Sequence, residues 1–185
     1  NCLNFGSPEK PEVFWFLERA IAGMAEASKA LGVPITGGNV SLYNESPTGA
    51  IDPTPVIGMM GLFEDVEKRA TQWFKDDGDV VYLLGEIGSS IGASQYLHLI
   101  HGKKTGRVAP VDLVREAATQ KAVREIIKAG WAKSAHDCSD GGFAVALAEC
   151  CFTGATHEAK PRGVKVELPG DGRVDGRLFG EAPSR

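Results

Sequence analysis

The run Gly37-Gly38-Asn39-Val40-Ser41 carries the strongest local chemical signal in this sequence. Paired glycines let a backbone come close to a phosphate and turn successive N–H groups toward it. Asn39 offers an amide oxygen of the hard type that Mg²⁺ prefers, and Ser41 offers a hydroxyl able to hydrogen-bond a substrate or a phosphate oxygen. The same residues also suit a tight turn with Asn39 in the left-handed conformation, and spacing alone favours that turn.

A second cluster is His136-Asp137-Cys138-Ser139-Asp140-Gly141-Gly142, leading into an Ala-rich stretch. Ser, Asp and Gly at a helix start supply caps and free N–H groups, so this cluster suits either capping alone or capping together with an anion. Asp137 and Asp140 are two acids, which fall short of a metal site. Cys138 beside His136 invites a thiol-nucleophile reading, but catalytic Cys–His pairs are assembled from distant segments and need an oxyanion hole, so the reading is set aside. His98 and His101 stand one helical turn apart without a third ligand. Gly102-Lys103-Lys104-Thr105 is half a P-loop that fails twice, because Leu97 replaces the first glycine and Lys104 the Ser or Thr. No GxGxxG fingerprint occurs.

The elements that must position these groups are read from periodicity. Val13, Leu17, Ala20, Met24, Ala27 and Leu31 recur at helical spacing between Pro11 and Gly32, a helix with a good first turn and a good stop. The N-terminal segment to Gly6 reads as a strand and turn. Further strands are expected at residues 33–36 and about 55–63, with residues 37–45 as a polar loop between them. Charge clusters around Trp73 at residues 66–78, and a domain boundary is placed there, giving domains 1–68 and 69–185. Beyond it the pattern predicts a strand at 80–84, a helix near 93–101, a long helix capped by Asp112 running to about Ala129, a strand edge at 134–137 and a helix over 141–151. It closes with a strand at 163–168, a turn at 170–177 and a strand beginning at Leu178. The fold class is α+β, split between two domains.

The composition is that of a globular chain: 185 residues, 43% apolar and 24% charged. With 24 acidic and 20 basic residues and no basic block, neither a nucleic acid nor a membrane surface is the expected partner. Cys2, Cys138, Cys150 and Cys151 form no CxxC or zinc spacing and read as reduced, cytoplasmic thiols. No stretch approaches the roughly 18 apolar residues of a membrane span. The sequons at Asn39 and Asn44 are not expected to be used, since nothing else looks secretory. The chain starts at Asn1 rather than Met, and it is expected to be a piece of a longer protein.

Five runs, taken in order, resemble motifs in the second half of the phosphoribosylformylglycinamidine synthase family: NCLNFGSPEKPE at 1–12, PITGGNVSLYNE at 34–45, PTPVIG at 53–58, SAHDCSDGG at 134–142 and LFGEAPSR at 178–185. The resemblance covers essentially the whole chain, and five ordered motifs are far more specific than one. It implies a PurM-like fold, with the end of an A domain, of the aminoimidazole ribonucleotide synthetase kind, followed by most of a B domain. It also implies an ATP- and Mg²⁺-dependent ligase that converts formylglycinamide ribonucleotide to the amidine with ammonia from a glutaminase subunit or domain. The site residues it implies are Gly38 and Asn1 at ATP, Asn39 at Mg²⁺ and Ser41 at substrate. Asn1 stands where the family's run often carries Asp, so the contact there lacks that charge. Ser7 replaces a commoner Asn, and Ala182-Pro183 a commoner Ser-Gln. The family's catalytic histidine and main ATP-phosphate ligands lie in its first half, so these residues alone are expected to be inactive and to need that half as a partner. A sister ligase such as aminoimidazole ribonucleotide synthetase or selenophosphate synthetase, or a non-catalytic nucleotide-holding module, are the competing readings.

Overall fold

The computed structural model describes residues 1–152, 160–168 and 170–185. The fold is α+β, and the chain divides into two compact units, Asn1–Glu64 and Asp65–Arg185.

The first unit is built on β1 (Cys2–Asn4), the central strand of a three-stranded sheet. It pairs in parallel with β2 (Asn39–Ser41), register Leu3 against Val40, and antiparallel with β5 (Thr54–Val56), register Leu3 against Pro55. Between β1 and β2 runs α1 (Pro11–Leu31), whose ends follow from local chemistry. Pro11 occupies a first-turn position where no N–H is needed, and Gly32 at φ 66° closes the last turn, with its N–H and that of Val33 returning to the carbonyls of Lys29 and Ser28. A short hairpin, β3 (Glu45–Ser46) and β4 (Gly49–Ala50), follows β2. Phe5, fully buried, and Leu3 form the unit's core. By contrast α1 has no buried residue, and Phe14 and Trp15 are each 55% exposed.

The regular elements described in the second unit are helices. A 3₁₀ turn at Val66–Lys68 is followed by α2 (Gln95–His101), α3 (Leu113–Lys128), α4 (Gly142–Cys151) and α5 (Val174–Phe179). Side chains cap two of these helices: the Ser94 hydroxyl accepts the Leu97 N–H, and Asp112 accepts those of Val114 and Arg115. α4 packs on α5, burying Phe143, Ala146 and Cys150. Gly142 has φ 66°, and a Cβ there would stand 2.5 Å from the Gly180 carbonyl oxygen, so the α4–α5 approach excludes a side chain. Phe179 stacks on Tyr96 with centroids 4.6 Å apart.

Several expected elements take another form. Residues 33–36, 80–84 and 163–168 lie in no strand, and the strand expected at 55–63 shortens to Thr54–Val56. The polar loop expected from residue 37 contains strand β2. The strand edge at 134–137 is a single parallel bridge between Thr71 and Ser134. The strand expected from Leu178 is instead the end of α5, where Gly176 packs so closely on Ser89 that a Cβ would meet its carbonyl oxygen at 2.4 Å. Where an expected strand is missing, a β-prone segment without a ladder partner stays irregular or joins a helix, because strand propensity expresses fit to neighbouring strands. No helix among the described residues is long and apolar enough to cross a membrane.

Candidate functional site

The four residues singled out in the first unit are drawn together by the β1–β2 pairing. The Asn1 nitrogen donates to the Gly37 carbonyl and the Asn39 N–H donates to the Asn1 carbonyl, each at 3.0 Å. Gly38 lies between them with no room for a side chain, since a Cβ would stand 2.2 Å from Asn1 Oδ1. Asn39 is a strand residue, and the left-handed residue of this segment is Tyr43 at φ 60°. The turn with a left-handed Asn39 is therefore not what forms. Asn39 and Ser41, two residues apart on β2, leave the strand on one face and Val40 on the other. Asn39 is exposed, and its side-chain amide makes no hydrogen bond among the described residues, so its oxygen is open to a ligand.

Beyond Ser41 the chain folds back on the end of β1. The N–H groups of Tyr43 and Asn44 donate to the carbonyls of Gly6 and Phe5, both at 3.1 Å, and Phe5 N–H donates to the Ser41 carbonyl at 3.0 Å. The Asn44 side chain enters the same knot, its Nδ2 lying 3.0 Å from the Phe5 carbonyl and 2.9 Å from that of Ser41. Glu45 Oε1 takes the Ser7 N–H at 3.1 Å and the Lys10 ammonium at 2.7 Å. The Lys10 bond, then the Ser7 bond, hold the Glu45 carboxyl below its ordinary range. Tyr43 donates to Glu9 at 3.2 Å, and that carboxylate pushes the phenol up. Asn44 and Glu45 were legible as part of a motif but carried no assigned role. The signal that marks them is Asn three residues after a serine, an arrangement prone to side-chain-to-backbone bonding.

Magnesium needs near-octahedral oxygen ligands but keeps several waters, so one or two protein oxygens beside phosphates suffice. The free amide oxygen of Asn39 fits one such position. Among the described residues no group of three or more His, Cys, Asp or Glu stands together as a metal site. That also leaves His98 and His101 without a third ligand; His101 packs edge-on to Tyr96. Lys103 and Lys104 border a cavity of about 280 Å³ with Ser94 and His98.

In the second unit, the anion seat expected ahead of α4 is filled by the protein itself. One Glu181 oxygen accepts the Gly141 N–H at 2.7 Å and the Gln95 N–H at 2.9 Å. Gly141 is the N-cap, without a side-chain cap, so the expected Ser or Asp cap is replaced by a residue 40 positions away. Asp137 is instead held by the Ser139 hydroxyl, which keeps its carboxyl low. His136 is clasped between carboxylates, Glu149 at 2.8 Å and Asp137 at 3.3 Å, and burial pushes the Cys138 thiol up. Both observations go against a thiolate nucleophile. Cys150, buried on α4, is pushed up to about 11, chiefly by burial.

Known families match in the same order as the units. AIR synthase related protein, N-terminal domain, matches residues 1–63, and AIR synthase related protein, C-terminal domain, matches residues 76–170. The chain is 51% identical over its whole length to the phosphoribosylformylglycinamidine synthase subunit PurL of Moorella thermoacetica, covering 24% of that protein. It is 55% identical to the subunit of the same name from Synechococcus sp. (strain JA-3-3Ab), over 99% of the chain and 23% of the relative. With that of Symbiobacterium thermophilum the identity is 50%, over the whole chain and 23% of the relative. The chain thus spans about a quarter of the length of the curated relatives it matches.

Proposed function

We propose, from the premise that this chain belongs to the family of AIR synthase related proteins, that it supplies one wall of the active site of a phosphoribosylformylglycinamidine synthase. In that reaction the amide oxygen of formylglycinamide ribonucleotide takes the γ-phosphoryl group of ATP, releasing ADP, and ammonia then displaces the phosphate to leave the amidine. Residues 1–68 are the end of an A domain and residues 69–185 most of a B domain. The remaining ligands, and the glutaminase that supplies ammonia, belong to other segments and partners. The setting for this chemistry is the cytoplasm.

The observation that carries the proposal is the alignment of Asn39 and Ser41 on one face of β2, beside the Gly38–Asn1 contact. Gly38 and Asn1 bring a bare backbone edge to the nucleotide, Asn39 gives an amide oxygen to Mg²⁺, and Ser41 gives a hydroxyl to the substrate. Bound Mg²⁺ neutralises charge on a transferring phosphoryl group. The protein's part is to hold the acceptor amide and the phosphate oxygens in fixed positions, with donors that need no reorganisation.

Replacement of Asn39 by Ala in the full-length protein is expected to lower Mg²⁺-dependent turnover by about 10- to 1,000-fold, the scale of one ligand or donor lost beside a phosphoryl transfer. Steady-state kinetics across Mg²⁺ concentrations measure this. A variant indistinguishable from wild type at every concentration would remove Asn39 from the metal site.

A further inference from the structure

The proposed reading places Ser41 against the substrate but leaves open what aims its hydroxyl. A serine O–H rotates freely unless a neighbour fixes it. Here the neighbour is Asn44, whose Oδ1 lies 3.2 Å and Nδ2 3.1 Å from Ser41 Oγ. The amide nitrogen has two hydrogens, and two carbonyl oxygens stand closer to it than the hydroxyl does: Phe5 at 3.0 Å and Ser41 at 2.9 Å. Those carbonyls can only accept. The amide hydrogens therefore go to them, and Ser41 gives its own hydrogen to Oδ1.

The backbone fixes Asn44 as firmly. Its N–H donates to the Phe5 carbonyl and its carbonyl accepts from Ile51 N–H, each at 3.1 Å. The preceding Tyr43 sits at φ 60°, a conformation unusual for a non-glycine residue, and this turns the chain back onto the end of β1. Phe5, whose carbonyl accepts from both the backbone N–H and the side-chain amide of Asn44, is fully buried.

We propose that Asn44 is a positioning residue: its amide oxygen holds the Ser41 O–H inward, leaving the hydroxyl's lone pairs to accept from a hydroxyl or N–H group of the ligand. The inference rests on the reading that Ser41 meets substrate, and a double-mutant cycle separates the two. In the full-length synthase, Ser41→Ala and Asn44→Ala are each expected to raise KM for the ribonucleotide about tenfold, the scale of one hydrogen bond, with kcat changed less than about threefold. The double variant is expected to show the same rise of about tenfold rather than about a hundredfold, since Asn44 acts through Ser41. The loss of thermal stability from Asn44→Ala, in contrast, persists in the Ser41→Ala background. Asn44→Asp keeps an acceptor for the hydroxyl but loses both amide donors, so it is expected to lower the melting temperature while leaving KM within about threefold of wild type.

Additive KM effects, or an unchanged KM in Asn44→Ala beside a raised one in Ser41→Ala, would overturn the positioning role while leaving Ser41 at the substrate. A KM that rises as far in Asn44→Asp as in Asn44→Ala would overturn the stated direction of the bond. An unchanged KM in Ser41→Ala would overturn the underlying reading and this inference together.

Discussion

Glu45 ties the start of β3 to the turn before α1, and its pH dependence follows from the two donors it accepts. A carboxyl held below its ordinary range in the folded state stabilises that state fully above its unfolded pKa, and the contribution is lost as pH falls through the folded value. Glu45→Gln is therefore expected to melt below wild type at pH 7, with the gap closing as pH drops below about 4. Melting curves between pH 7 and 3 test this, and a gap that stays constant would show that charge at Glu45 is irrelevant. At this scale the sequence was informative about identity and weaker about geometry. Gly38, Asn39 and Ser41 stood out by type. That Asn39 would be extended and Tyr43 left-handed was not visible, because the bonds that accompany φ 60° at Tyr43 go to Gly6 and Glu9, far away in the sequence.

Among the elements, helices α1 and α3 obeyed local rules. α1 runs between the Pro and Gly that mark its ends, and α3 begins where Asp112 caps it, at 3.0 Å from two amides. Asp112→Ala is expected to cost about 1 kcal/mol, and Asp112→Asn much less because its amide oxygen still accepts. Chemical denaturation measures the loss, and hydrogen exchange at Val114 and Arg115 locates it. An exchange rate unchanged in Asp112→Ala would mean that packing alone sets this helix start. Strands behaved differently. Residues 33–36 have the composition of a strand, yet the ladder forms at Asn39–Ser41, where β1 offers partners in register. Residues 178–179 close a helix because α5 docks on α4 and on the Ser89 backbone.

Taken whole, the molecule is two units with small cores and much exposed apolar surface, including Met60 at 98% and Leu62 at 94% exposure. Exposed apolar area and unpaired strand edges both find partners in another copy. A preparation of these 185 residues alone is therefore expected to self-associate. Light scattering decides it, and a monomer with one cooperative melting transition would contradict the expectation. By itself the sequence determined helices α1 to α4, the ends of α1, the Asp112 cap of α3, the α+β class and the family, because periodicity and capping act within a few residues and the motif runs are contiguous. Only the tertiary structure decided which extended segments pair, that Glu181 fills the seat ahead of α4, and that Asn44 closes on Ser41 and Phe5. These bonds join residues up to 86 positions apart. Closing such loops costs entropy that local propensity cannot offset, so only packing of the whole unit selects them.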